Sequence, residues 1–314
     1  MHRSTVPVWL FAVAAAGPLL AAPTPSPAPP TVSAPAGAPA APPATPPAAA
    51  PGSPSAPAPE PDPATDILRR AEEIRSPEAD YALEFTLRAV NPTSFWKERT
   101  ARYTMIAHGK DHALVLMREP AQFYPGTLLI MRGLYWLLLP NAEKPLQLSA
   151  QNVLDGDISY GDLARGNLLR NYTVRLDGEE KIGGARCWRL ELTRIGYEAN
   201  YPRIRCWIEK RTHRPQKFEY YGKTGALLKT ALYEEYRKTM LGLRPARVVV
   251  TSPARPDETT TLLFSDLRPL ELSHVSFTVD GLVAFRDAAR IRSGADGRQS
   301  RVEDLVAPAG RGGS

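Results

Sequence analysis

The sequence predicts a mainly β fold of the α+β kind, with about 11 strands and two or three short helical pieces in roughly 225 residues. Three observations carry this. Apolar side chains alternate with polar ones at period two through most of residues 81–267, which marks strands with one buried face. Turn residues such as His108-Gly109-Lys110-Asp111 and Arg132-Gly133 separate these runs at near-regular intervals, as in a sandwich or barrel. Helical periodicity is confined to one stretch, where Ile67, Leu68, Ala71 and Ile74 recur behind the capping residues of Asp62-Pro63-Ala64-Thr65-Asp66 and stop before Pro77. A sheet of that many strands must curl. The two helical pieces, one before the sheet and one in its middle, are the natural plugs for its concave side.

Residues 1–22 read as an export signal: Arg3, an apolar run through Val8, Trp9, Leu10, Phe11 and Val13, and a small-residue exit at Ala21-Ala22. The run of about 17 residues is short for a membrane span. Cleavage and retention as an N-terminal anchor both stay open. Residues 23–63 hold 17 of the 32 prolines and show no apolar periodicity, so they favour extended polyproline II over a packed core. Fully stretched, such a segment reaches about 120 Å. It reads either as a spacer or as low-complexity sequence of no selected length.

The folded domain spans 64–286, and 287–314 read as a polar, flexible tail rich in Gly and Arg. Within the domain Tyr81, Leu83, Phe85 and Leu87 form the buried face of a first strand. Runs at 99–107, 112–119, 126–131 and 134–139 follow, then a break from Ser149 to Arg170 where apolar residues scatter among Asp, Gly and Ser. Strands resume at 171–176, 185–194, 203–209, 215–221, 227–236, 245–251 and 259–267. Two cysteines, Cys187 and Cys206, lie on neighbouring runs. If the apolar faces of those runs agree, Cys206 stands opposite Trp188 and Cys187 points to the other side of the sheet, which argues against a bridge between them.

The signatures of catalysis are missing: no Gly-x-Ser-x-Gly elbow, no His-Glu-x-x-His and no phosphate-cradling glycine loop. No catalytic residue, metal ligand or cofactor is nominated. His108 and His112 flank a turn, so helical ligand spacing does not apply to them. The acidic run Asp155-Gly156-Asp157-Ile158-Ser159-Tyr160-Gly161-Asp162 has two readings. It is a calcium loop, since hard cations want several carboxylates close together, or a helix start, with Asp157 or Ser159 as cap and Asp162 in the first turn. The net charge of +6 is spread along the domain among acids, and the strand aromatics are core candidates, so nucleic acid is not an expected partner.

Two runs are apolar on both alternations, Gly126–Met131 and Leu134–Leu139. Such strands must be covered on both sides. One cover is the domain core, and the other is a helix or a guest molecule.

These residues also carry a family resemblance. Trp136-Leu-Leu-Leu-Pro140-Asn, Lys144-Pro-Leu-Gln-Leu-Ser149 and Leu154-Asp-Gly-Asp-Ile-Ser-Tyr-Gly-Asp-Leu163 resemble the outer-membrane lipoprotein-sorting, LolA-like family. So, in the same order, do Cys187-Trp-Arg-Leu-Glu-Leu192, Ile204-Arg-Cys-Trp-Ile-Glu-Lys210, Arg214-Pro-Gln-Lys-Phe-Glu-Tyr-Tyr221 and Gly225-Ala-Leu-Leu-Lys-Thr230. The resemblance implies an unclosed antiparallel β-barrel with helices in its concave face, a periplasmic location and an apolar cavity for a lipid or lipoprotein acyl chain. An inner-membrane exporter and an outer-membrane acceptor are the partners it suggests, with the chain a monomer.

From one parity of the doubly apolar strands, Leu129, Met131, Trp136 and Leu138 are the expected cavity lining. The segment 154–170, through Leu154, Ile158 and Leu163, is the expected lid, with Gly156, Gly161 and Gly166 as its hinges. A 16-carbon chain buried there would gain about 10 kcal/mol before ordering costs, at ~0.8 kcal/mol per methylene. Two other functions stay open at this point: an envelope sensor or scaffold that binds a protein, and an enzyme using Asp155, Asp157 and Asp162.

Overall fold

A computed structural model describes residues 62–163, 168–196, 199–293 and 299–306. The export signal, nearly all of the proline-rich segment and Gly166 lie outside the described residues. Among those described, no helix is long and apolar enough to cross a membrane.

Helix α1 (Pro63–Arg75) opens the domain with Pro at its first position, where the missing N–H costs nothing. It buries Ala64, Ile67, Leu68 and Ala71, the face that the helical spacing predicts. Six strands follow: β1 (Tyr81–Val90), β2 (Glu98–His108), β3 (His112–Glu119), β4 (Thr127–Met131), β5 (Leu134–Leu138) and β6 (Leu146–Leu148). Next come a short hairpin, β7 (Val153–Asp155) and β8 (Ile158–Ser159), and two single-turn helices, α2 (Tyr160–Leu163) and α3 (Leu168–Asn171). Seven longer strands return: β9 (Tyr172–Ile182), β10 (Ala185–Arg194), β11 (Arg203–Glu209), β12 (Pro215–Tyr221), β13 (Leu227–Thr239), β14 (Gly242–Ser252) and β15 (Arg255–Pro269). Helices α4 (Val279–Ile291) and α5 (Val302–Val306) close the described chain.

Thirteen strands form one antiparallel sheet in the order β6-β5-β4-β3-β2-β1-β15-β14-β13-β12-β11-β10-β9. The edges β6 and β9 do not pair, so the barrel is unclosed. This topology explains the plug. The chain meanders outward from β1 to one edge at β6, and its next long strand, β9, is the opposite edge. Residues 149–171 make that crossing, and they bury Leu154, Ile158, Leu163 and Leu168 in the same apolar cluster as α1 and the concave side of the sheet.

The structure adds three things to the sequence reading. Strand β6 and the β7–β8 hairpin lie in or beside the predicted break, too short to show an alternation. Strands β9 and β15 run several residues longer than the alternation does, because their extra length is mostly polar and, Glu258 apart, not buried, so it carries no apolar signal. The region from 287 on is not a polar tail throughout its described part. Helix α4 runs to Ile291, and α5 buries Val302, Leu305 and Val306. Both sit in a second apolar cluster with Ala82, Ile106, Leu114, Leu116, Leu129 and Leu138 from the outer face of β1–β5.

The β10–β11 register sets Cys206 opposite Leu190, and Trp188 opposite Ile208. The hairpin is thus slid by two residues from the expected pairing, a shift that keeps every side chain on its face. Cys187 pairs with Glu209 on the other face, and both cysteines are buried and free. Titrating the denatured, unreduced protein with a thiol reagent is expected to find two thiols, and a count of zero would overturn this geometry.

Candidate functional site

The concave face is the candidate site. Its floor is built from one side of the strands, among them Phe85, Met105, Leu128, Ile130 and Tyr135, all buried. The expected lining residues are not there. Leu129 and Leu138 lie fully buried on the opposite, convex face under α4 and α5, and Met131 and Trp136 pack beside them. The register β4–β5 pairs Leu129 with Trp136, so these four share a face as the parity argument required, but it is the outer one. The reason is physical: both parities are apolar, and the helix that covers the outer one lies about 150 residues further along the chain, where no local pattern points to it. The inner parity is Leu128, Ile130, Tyr135 and Leu137.

The three residues expected to form a lid lie inside the concave cluster. Leu154, Ile158 and Leu163 are buried in the concave cluster, with exposures of 4%, 2% and 6%. Around them the packing leaves small cavities. One of about 120 Å³ is largely apolar, walled by Leu83, Phe85, Met105, Val248 and Leu262 together with Ile158 and Leu163, with Arg75 and the Lys229–Asp162 pair also on its wall. A second, of about 130 Å³, lies against Leu163, Leu168 and the tyrosines Tyr135, Tyr172, Tyr201, Tyr220 and Tyr233. A third, of about 230 Å³, shares Arg75, Tyr81, Leu83, Pro245 and Phe264 with the first and reaches the surface at Arg237. Each is smaller than the ~300 Å³ at which ligand pockets begin. Ile158, Leu163 and Leu168 of the plug bound the first two.

Polar bonds hold the plug. Asp155 accepts from Arg99 of β2 at 2.9 Å, and Asp157 from Arg255 of β15 at 2.6 Å. Asp162 pairs with Lys229 of β13 and accepts the Tyr201 hydroxyl at 2.6 Å. Lys229 also donates to the Asp157 carbonyl at 3.1 Å. Asp162 further accepts the Ser159 N–H at 2.7 Å and its hydroxyl at 2.8 Å, which closes the start of α2. Of the two readings of this acidic run, the structure therefore favours the helix start: Ser159 precedes the turn and Asp162 sits in it. The three carboxylates serve three different cations, and no group of metal-ligating side chains forms among the described residues. At Gly156 the backbone has φ +53°, and a Cβ would stand 2.2 Å from the Thr260 hydroxyl, so only glycine lets the hairpin lie this close to β15.

Sequence reasoning missed Glu72 and Arg75 on α1. Glu72 is buried and accepts the N–H groups of Leu168 at 2.5 Å and Leu169 at 3.4 Å, tying α1 to the plug. Arg75 stands 3.9 Å from it and lines all three cavities. Neither carries a motif; only the helix register could have found them. Desolvation pushes the Glu72 carboxyl above the usual carboxylate range, with Arg75 opposing. A raised folded-state pKa stabilises below the unfolded value and loses that contribution as pH rises through the folded one. Glu72→Gln keeps the carbonyl acceptor and never charges. Its stability relative to the natural chain is therefore expected to improve as pH rises through the carboxylate range and to level off above it. Urea midpoints at several pH values test this, and a difference that does not change with pH would refute it.

The model of a family described as uncharacterized protein matches residues 109–283. The solved structure of a LolA superfamily protein from Nitrosomonas europaea is 30% identical, with a TM-score of 0.64, covering 69% of this chain and 98% of its own. Two others share the fold: a DUF1329 family protein from Desulfovibrio piger (23% identity, TM-score 0.62, 70% of this chain and 97% of its own) and a domain named for outer membrane lipoprotein sorting from Vibrio parahaemolyticus (21%, 0.60, 70% and 97%). No curated protein matches by sequence.

Proposed function

The chain belongs to the LolA superfamily, and from that premise we propose that it is a periplasmic carrier that takes the acyl chain of a lipid or lipoprotein into the concave face of its sheet and hands it towards the outer membrane. The observation that carries this reading is the plug. A crossing segment with its apolar side chains buried in the concave cluster is held there by ion pairs, hydrogen bonds and packing, not by a regular strand or a covalent bond. A segment held in this way can leave as a unit. Its departure would join small apolar cavities into a trough floored by Phe85, Met105, Leu128 and Ile130.

An acyl chain would replace the contacts of Leu154, Ile158 and Leu163. Because the plug regains those contacts on release, binding would be an exchange of like for like. That suits a carrier, which must let go of its cargo. The ~10 kcal/mol gross gain of a 16-carbon chain is offset by the cost of exposing three buried apolar side chains, each about 1.5–3 kcal/mol.

Native mass spectrometry of the exported protein tests the proposal. Co-purified lipid, or uptake of added phospholipid or a triacylated lipopeptide, is the expected result. A protein that emerges empty and ignores both would sink the carrier reading and leave a protein-binding role for this domain.

A further inference from the structure

The outer cavity of the concave face is lined by cations out of proportion to its acids. Arg75, Arg237, Lys238 and Arg244 all line it, against one carboxylate, Asp266, which is bound to Arg268. Of these cations, Arg75 is answered by Glu72 of α1 at 3.9 Å, and Arg237 pairs with Glu235 at 3.3 Å, at an exposed position where such a pair is weak. Arg244 is different. Its guanidinium donates to the carbonyls of Glu73, at 2.5 Å, and of Leu243, at 3.0 Å, and also to that of Leu241, while its Nε is buried without a hydrogen-bond partner. Among the described residues, no carboxylate stands within ion-pair distance of Arg244 or Lys238. Burial pulls the Arg244 pKa down, with the more distant Glu73 charge opposing it.

This cationic cavity leads directly into the apolar one. The two share the walls Tyr81, Leu83, Pro245 and Phe264. A polar vestibule with surplus positive charge, opening on an apolar chamber, matches one chemistry at each end. An uncharged or cationic amphiphile would leave the Arg244 donor unanswered. Water alone would satisfy Lys238 but give no account of cations gathered at this end.

We infer that the cargo is an anionic amphiphile, its tail in the apolar chamber behind Tyr81 and Leu83 and its carboxylate or phosphate in the vestibule formed by Arg237, Lys238 and Arg244. The inference rests on the carrier reading above and names its ligand class. A charge-assisted hydrogen bond is worth about 1.5–3 kcal/mol, so the head group sets the preference among lipids while the tail supplies most of the affinity.

The test uses three probes of related tail: oleate, lyso-phosphatidylglycerol and uncharged monoolein, each titrated by displacement of a fluorescent fatty acid from the full exported chain. Oleate, lyso-phosphatidylglycerol or both are expected to bind at least about tenfold more tightly than monoolein, and the pair identifies whether a carboxylate or a phosphate is preferred. Arg237→Gln/Lys238→Gln and, separately, Arg244→Gln are expected to erase most of that preference while monoolein binding stays within about twofold, a difference worth under 0.5 kcal/mol. Because Arg244 also caps α1, the double variant, which leaves Arg244 in place, keeps the test independent of folding. Equal binding of all three probes to the natural chain, or equal loss of all three in the double variant, would overturn the inference and leave the cavity reading intact. Binding of none would remove both.

Discussion

A chain ending at Phe277 is expected not to accumulate as a soluble folded protein, although it would retain every strand of the sheet. Removing α4 and α5 uncovers Ala82, Ile106, Leu114, Leu116, Leu129 and Leu138, a contiguous apolar face of five neighbouring strands. It also removes Leu282, Phe285, Val302, Leu305 and Val306, all buried. At about 1.5–3 kcal/mol per large apolar side chain, the loss is on the order of 10 kcal/mol, against a typical total stability of about 5–15 kcal/mol. Polar ties go as well: the Tyr124 hydroxyl, bonded to the Ala289 carbonyl at 3.1 Å and to Ser293 and Ser300, and Arg118, which donates to the Ser300 carbonyl at 2.7 Å. A single change gives a graded version. Phe285→Ala is expected to cost about 3–5 kcal/mol in urea unfolding. A truncated chain with a normal unfolding midpoint would show that the outer face needs no cover.

That prediction turns on a region where the sequence misleads. The strand alternation reports a single buried face reliably, as at Phe85 and Leu87, because the opposite face there is polar. At Leu128–Met131 and Leu134–Leu138 the signal saturates: both parities are apolar, and a pattern with no polar face cannot say which side is the cavity. Its true content was that two covers exist. The outer one is α4, whose apolar residues Leu282, Phe285 and Ala289 do follow helical spacing behind the cap Thr278, which accepts the Gly281 N–H at 3.1 Å. The plug was legible for the opposite reason. Leu154, Ile158 and Leu163 stand in a run of Asp, Gly and Ser with no regular period, so their burial had to be against something already built. What could not be read was the identity of the partners of its three aspartates, since Arg99, Lys229 and Arg255 are brought to them only by the crossing from β6 to β9.

Among those partners, Lys229 is expected to hold the plug most strongly. The Arg99–Asp155 pair is partly exposed, with side-chain exposures of 36% and 19%, and such pairs are worth about 0.2–1 kcal/mol. Arg255 is 42% exposed where it meets Asp157, so solvent screens that pair more than it screens Lys229 and Asp162. Lys229 and Asp162 are 10% and 14% exposed. Lys229→Met leaves a largely buried carboxylate facing an apolar side chain, a defect that costs about 3–5 kcal/mol where nothing compensates. Asp162 keeps the Ser159 and Tyr201 donors, which places the expected cost near the lower end, about 3 kcal/mol. Adding Asp162→Asn removes the stranded charge while keeping an acceptor for the Ser159 N–H, and is expected to recover more than half of that loss. Urea unfolding of the two single variants and the pair, read as a double-mutant cycle, measures this coupling; simple addition of the two costs would mean that the pair does not act as a unit. Hydrogen exchange separates the local consequence from the global one. In Lys229→Met the amides of Ile158–Leu163 should lose protection before those of β1 and β15, because the lysine side chain anchors the plug to a sheet whose ladders the plug does not join. A carrier needs that ordering: the segment occupying the cargo's place opens first, and the trough that receives the cargo stays formed.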